Sequence, residues 1–321
     1  MGKIFNSTLL FLLFVTIASC KKDKKEAELP NEPLPQLGIA VGKGPDAMFL
    51  TPDETKLYIA NVEDTTISVI NTITDKVVHT ITGIRNPWGF AQLGSSTEVA
   101  VSAYDYQLAV VDFTNNLIVR EKTFSSHLGG ITVDSIGQYL YVVAIDSKKI
   151  LKIDAVTLDS LDNFDTGNGP DGIGISKDNQ KIYVTNTSDG TISIININTK
   201  TTTIINAGGK PELIHGNYDN SLLYISNFND NKTHVLNTST DSITHEITGL
   251  NGPEEVVPNK SNDKLYIVNF NSAKVFVYSI PNYNKLSTEY ITGAKPIGVT
   301  SLNNKLYVTN YGDNSVSVIE K

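Results

Sequence analysis

Two markers sharing a period of 41 to 42 residues, and four strand-like runs inside each period, predict an all-β fold. It is a seven-bladed β-propeller of four-stranded antiparallel blades, the ring closed by an N-terminal strand that completes the last blade. The first marker is a tyrosine, at Tyr58, Tyr141, Tyr183, Tyr224, Tyr266 and Tyr307, with Ala100 at the one vacant step. The second is a proline, at Pro45, Pro87, Pro170, Pro211, Pro253 and Pro296, with Leu128 at its vacant step. The third observation is the content of a period. In the fourth unit GIGIS, KIYVTN, TISIIN and TTTIIN follow one another across short polar turns, and runs of β-branched and aromatic residues between Asn, Ser, Asp and Gly read as hairpins. A small sheet with two apolar faces cannot stand alone, so the units must stack face to face. A β-helix, the competing arrangement, needs shorter coils without regular hairpins.

Composition agrees. Of 321 residues, 40% are hydrophobic and 19% charged, with no sustained helical periodicity. The net charge of −8 argues against a polyanionic partner, so no nucleic acid is expected. A single cysteine allows no intrachain disulfide.

Taken in order, the chain begins with a targeting signal over residues 1–19: Lys3 supplies the positive charge, and Leu9 to Ile17 an apolar stretch ending in Ala18 and Ser19. Ile17-Ala18-Ser19-Cys20 looks like a bacterial lipobox, with Cys20 lipidated and first in the mature chain; a signal whose cleavage site merely contains a cysteine is the plainer alternative. Acyl chains on Cys20 would hold the protein to a membrane, each buried methylene adding about 0.8 kcal/mol. Residues 20–35, charged and Pro-rich, read as a flexible tether. A charged run directly after the cysteine resembles export signals of surface-exposed Gram-negative lipoproteins. The propeller occupies residues 36–321.

The last unit ends at Ser315 to Lys321, its third strand, with no residues left for a fourth. Leu37 to Gly42 matches the fourth-strand endings such as His79 to Gly83, so Leu37 to Val41 is expected beside Ser315 to Glu320, removing the open edges of the stack. Small residues two places after the proline (Ala47, Gly89, Gly130, Gly172, Gly298) suit crowding near an axis. Apolar residues three places after it, Met48 through Val299, suit the core between blades. Asn71, Asp112, Asp154, Asn196 and Asn237, closing third strands, fit Asx-turns. Asn61, Asn186, Asn227, Asn269 and Asn310, closing second strands, are expected to do similar work in the next turn.

The hairpins YIAN…TISVIN, YVTN…TISIIN and YVTN…SVSVIE resemble the YVTN-type β-propeller repeat family of bacterial and archaeal surface and periplasmic proteins. The resemblance covers about residues 37–321; the second unit departs most, with Val99-Ala100-Val101-Ser102 in place of the motif. It implies the architecture and a cell-envelope setting. Relatives of that family include binding proteins, surface-layer components, propeller parts of redox enzymes and surface lipoproteins that capture corrinoids.

Signatures of chemistry are sparse. There is no CxxCH for haem and no GxSxG elbow, and His245-Glu246 lacks the second histidine of a zinc protease. His79 and His245 fall in outer strands and are expected at the surface. His215, in an inner strand, and His127, before the third unit, are open to either a ligand or a structural role. No catalytic residue, cofactor or metal site is expected; four carboxylates at one mouth could hold Ca²⁺, but no compact Asp/Asn/Gly loop supports that. The stronger candidate is one face of the ring. After the leading positions it receives Asp46, Trp88, Asp171, Glu212, Glu254 and Ile297, and the hairpin turns add Tyr104, Phe228, Phe270 and Tyr311. Aromatics in polar turns fit a binding surface or the capping of neighbouring blades. With His215, these polar and aromatic residues are the expected ligand site. The sequence thus points to a monomeric, non-enzymatic propeller lipoprotein of a Gram-negative outer membrane, exposed at the cell surface and binding a small molecule. Its partners would be the membrane, through Cys20, and an unknown small molecule or envelope protein. A scaffold subunit of a transport or envelope complex is the alternative, and a lactonase or quinone-linked dehydrogenase the third reading.

Overall fold

The computed structural model describes residues 38–321. The segments expected to be a signal peptide and a tether, with Cys20, lie outside the described residues. Blade 1 is built from Pro45–Leu50, Lys56–Asn61, Thr66–Asn71 and Lys76–Thr82, each strand antiparallel to the next. The inner strands of blades 2 to 7 are Pro87–Gln92, Leu128–Val133, Pro170–Ile175, Pro211–Gly216, Pro253–Pro258 and Pro296–Leu302. All seven begin at the sequence marker, Leu128 included. Proline suits the first residue of a strand, where a missing donor costs no ladder bond. Each inner strand touches the inner strands of both neighbours, and the first touches the seventh, so the ring is closed.

Blade 7 has only three strands of its own, and the fourth comes from the other end of the described chain. Ile39 pairs with Val316 and Ala40 with Ser315, antiparallel, while the Val41 amide donates to the Asn314 carbonyl at 3.0 Å.

The core is divided. Seven apolar clusters each span one blade–blade interface, from Tyr58, Val69 and Val101 between blades 1 and 2 to Leu57, Ile59, Tyr307 and Val316 between blades 7 and 1. Strand alternation explains the division, because Leu57 and Ile59 face one neighbour and Tyr58 the other. Near the axis the blades almost touch. A Cβ on Gly172 would lie 2.2 Å from the Glu212 carbonyl oxygen and one on Gly298 2.6 Å from that of Asp46, so only glycine permits this approach.

Tyr58, Tyr183 and Tyr307 are latches as well as core residues. Tyr183 donates to Asp241 at 2.6 Å and Tyr307 to Asp75 at 2.6 Å, each carboxylate in the outer turn of the following blade. Lys181 and Lys305, two residues earlier, pair with the same carboxylates at 2.5 and 2.6 Å. Tyr58 reaches Asn116 in the same way. Where the tyrosine is missing the acceptor is missing too: Ala100 packs with Leu158, which takes the acceptor's place in the turn of blade 3.

The Asx-turns form as the sequence predicts; Asn196 Oδ1 accepts from the amides of Asn198 and Thr199 at 3.0 and 2.9 Å. Of the second-strand asparagines, Asn227 accepts from the turn amide of Asp230 as expected, whereas Asn186 and Asn310 do something different from capping a turn. Asn186 is fully buried, donates to Thr191 and Ser193 of the third strand, and accepts from the amide of Gly167 in the linker from blade 3. Asn310 repeats the arrangement with Ser315, Ser317 and Gly293. A buried amide side chain here bridges a strand to the incoming linker and satisfies both.

Candidate functional site

One face of the ring collects the starts of the inner strands and the turns between second and third strands. In every blade the first turn amide donates to the carbonyl before the leading residue: Val62 to Gly44, Tyr104 to Asn86, Ile145 to His127, Thr187 to Gly169, Phe228 to Lys210, Phe270 to Gly252 and Tyr311 to Lys295, all at 2.8–3.0 Å. This sevenfold bond places the turn residues beside the axial mouth.

The axis holds a cavity of about 310 Å³ lined by inner-strand residues of all seven blades. Of the sequence-predicted residues, Asp46, Trp88 and His215 line it, together with Met48, Leu213 and Glu255. Asp171, Glu212 and Glu254 occupy the same strand position as Asp46 and Trp88, one place after the leading proline, and so complete a ring at the mouth. The carboxylates feel one another across the axis. Burial, then repulsion from Glu255, Asp171 and Glu212, raises Asp46 to about 7. Burial and Glu212 raise Asp171 to about 6, and burial with Glu212 and Asp46 raises Glu254 to about 9. Burial is the first cause in each case, and repulsion between the carboxylates adds to it. Glu212, 8% exposed, pairs through one oxygen with Lys210, while its Oε2 has no hydrogen-bond partner among the described residues. His215 Nδ1 stands 3.0 Å from Glu255.

The turn aromatics build the rim, and Tyr104, Phe228 and Tyr311 each rest on the following blade. Tyr104 stacks on His127 with centroids 4.3 Å apart, Phe228 meets Phe270 edge-on at 5.8 Å, and Tyr311 donates to Glu63. These three therefore do cap their neighbours, and Phe270 is the surface on which Phe228 rests. Trp88 is different, since it sits on an inner strand, faces the cavity and contacts Tyr104 at 5.8 Å. Tyr106 closes on the other side of His127 at 4.2 Å, and the imidazole Nδ1 lies 2.7 Å from Asp146, whose carboxyl is held low chiefly by the His127 amide. The result is a continuous aromatic bank, Trp88–Tyr104–His127–Tyr106, at the second and third blades. A smaller bank of Phe228 and Phe270 stands at the fifth and sixth. His79 and His245 are exposed on outer strands, away from this face.

Known proteins resemble this chain in fold alone. No protein-family model matches the sequence, and no curated protein matches it significantly. Among solved structures, Kuenenia stuttgartiensis hydrazine synthase aligns with a TM-score of 0.76 at 16% identity, covering 91% of this chain and 99% of that one. The β-propeller domain of Cps50 (Swd1) from Myceliophteria thermophila aligns with a TM-score of 0.74 at 10% identity, covering 88% and 97%. One is an enzyme and the other a propeller module, so the likeness establishes the seven-bladed ring and leaves its occupant open.

Sequence reasoning passed over Glu255, Lys210, Tyr106 and Asp146. The doublets Glu254-Glu255 and Tyr104-Asp105-Tyr106 were visible signals for two of them. Asp146 and Lys210 come to the face only through contacts made between linkers and turns.

Proposed function

We propose that this protein is a non-enzymatic, lipid-anchored propeller of the Gram-negative cell envelope, related to the YVTN-type repeat proteins, that binds a small ligand on its axial face. The observation that carries the reading is the mouth itself: three carboxylates raised by burial and mutual repulsion beside a tryptophan that faces a cavity. Burying like charges costs stability, and an apolar ring would close the axis more cheaply. A functional site is the usual reason for such an arrangement. The envelope setting is supported by residues 1–35, with Cys20 as the acylation site, and the absence of haem and hydrolase motifs supports binding over catalysis.

The test is capture of small molecules from an envelope extract, read by mass spectrometry. Trp88→Ala, Phe228→Ala and Phe270→Ala combined should abolish capture while circular dichroism stays unchanged. Undiminished capture by the folded triple variant would place the site elsewhere.

A further inference from the structure

The charge at the axial mouth narrows the chemistry of what can enter. Five carboxylates, Asp46, Asp171, Glu212, Glu254 and Glu255, share it with one lysine, Lys210, and one histidine, His215. Lys210 is engaged by Glu212, and His215 by Glu255. Asp46, Asp171 and Glu254 receive no hydrogen bond from the described residues. Glu212 adds an independent sign of vacancy: one place after Pro211 on the inner strand, it is 8% exposed, and its Oε2 is buried without a hydrogen-bond partner among the described residues. Asp46, Asp171 and Glu254 are half-buried, and a fully buried acceptor such as Glu212 Oε2 with nothing to accept from is expensive. A cation bearing N–H donors answers both the charge and the missing bonds.

We infer that the axial mouth takes an aliphatic ammonium ion, a primary amine or polyamine, whose N–H groups are received by the carboxylates of blades 1, 4, 5 and 6 and whose carbon chain lies against Trp88, Met48 and Leu213. This rests on the reading that the axial face is the ligand site. Three features choose it over other occupants. A bare metal ion needs oxygens converging within about 2.6 Å, and among the described residues no three His, Cys, Asp or Glu side chains are arranged to hold one. The cavity of about 310 Å³ is the size of a small organic ligand. Trp88 in the same ring lines the cavity, and an indole attracts a cation placed over it, more strongly where water is excluded. Anions are repelled.

Binding should also move protons. Asp46 is faced by Glu255, Asp171, Glu212 and Tyr311, and Glu254 by Glu212, Asp46, Asp171 and Lys210; blade 7 contributes the uncharged Ile297 at this level. An entering ammonium replaces the protons these carboxyls hold near neutrality, so affinity rises with pH until the amine itself deprotonates near about 10.

The experiment is calorimetric titration of the full chain with spermidine, 1,8-diaminooctane, 1,8-octanediol and CaCl₂ at pH 6 and pH 8. The expected result is saturable binding of at least one of the two amines, at least 10-fold tighter at pH 8, with protons released in buffers of different ionisation enthalpy. Asp46→Asn with Glu254→Gln, near-isosteric changes that relieve repulsion, should weaken it at least 10-fold and remove the proton release. Octanediol and calcium should bind far more weakly than the amine. Octanediol binding as well as the diamine, calcium binding in place of both amines, or no amine binding at millimolar concentration overturns the inference. Trp88-dependent capture of a neutral or anionic molecule from the extract also overturns it while leaving the axial-face reading intact; no Trp88-dependent capture of any kind defeats that reading instead.

Discussion

Tyr307→Phe isolates the latch that joins blade 7 to blade 1. The ring of Tyr307 is fully buried and phenylalanine keeps it, so the change removes only the hydroxyl. Lost with it are the bonds to Asp75 Oδ1 at 2.6 Å and to the Thr72 carbonyl at 3.1 Å. A hydrogen bond to a charged acceptor contributes about 1.5–3 kcal/mol. Asp75 keeps Lys305 at 2.6 Å and its side chain is 30% exposed, so water replaces part of what is lost. The expected cost is therefore at the lower end, about 1.5–2 kcal/mol. Tyr141→Phe is the control, because the turn residue at the corresponding place in blade 4 is Lys200, which cannot accept, and the Tyr141 hydroxyl makes no hydrogen bond to the described residues. It should change stability by less than about 0.5 kcal/mol. Urea unfolding followed by circular dichroism and tryptophan emission gives both values, with coincident transitions and an unchanged slope as the condition for comparing midpoints. Equal losses in the two variants would refute the latch, since only ring burial is common to both. So would a double-mutant cycle between Tyr307→Phe and Asp75→Ala with no coupling energy.

Two further outcomes follow from other parts of the ring. Asp46, Asp171 and Glu254 hold protons in the folded state, with values near 7, 6 and 9, over a range in which the unfolded chain has released them. The native state then binds more protons, so their contribution to stability falls as pH rises from about 4 to about 9. Thermal unfolding should show that slope, and Asp46→Asn with Glu254→Gln should flatten it and add about 1–3 kcal/mol at pH 9, a figure kept low because the cavity admits water; a slope unchanged by the pair would mean the carboxyls are ionised throughout. Ile39→Asp puts a charge where a side chain of the closing strand packs between blades 7 and 1. It should cost about 1–3 kcal/mol, and limited proteolysis should begin in blade 7; first cleavage in another blade would argue against closure by this strand.

The architecture was legible because its cause is repeated. Every blade needs a first residue at the axis, and all but the second carry a tyrosine facing the next blade, so Pro45 to Pro296 and Tyr58 to Tyr307 write the period into the chain. The closing strand was legible for the same reason, as residues 37–42 look like any other outer strand. What the tyrosines hold was not legible. Tyr183 and Asp241 are separated by a whole blade of sequence, and the acceptor place in the turn is Asp, Asn, Leu, Lys or Tyr in different blades. The acidic ring was read from position alone; its membership of one electrostatic unit depends on distances across the axis that no local pattern encodes. Glu255 escaped because the register shifts between Pro253 and Val256, and simple alternation cannot assign facing through a bulge. The bridging role of Asn186 escaped because its partner Gly167 belongs to the linker from the preceding blade.

Trp88 is the only tryptophan of the chain, so its emission reports the axial mouth and nothing else. The most direct measurement is that emission, with its accessibility to acrylamide, while the molecule captured from the envelope extract is titrated in. Binding on the axial face predicts a saturable spectral change and protection from quenching, both following the calorimetric isotherm and both weakened by Asp46→Asn with Glu254→Gln. Full-affinity binding with Trp88 emission and quenching unmoved would contradict it.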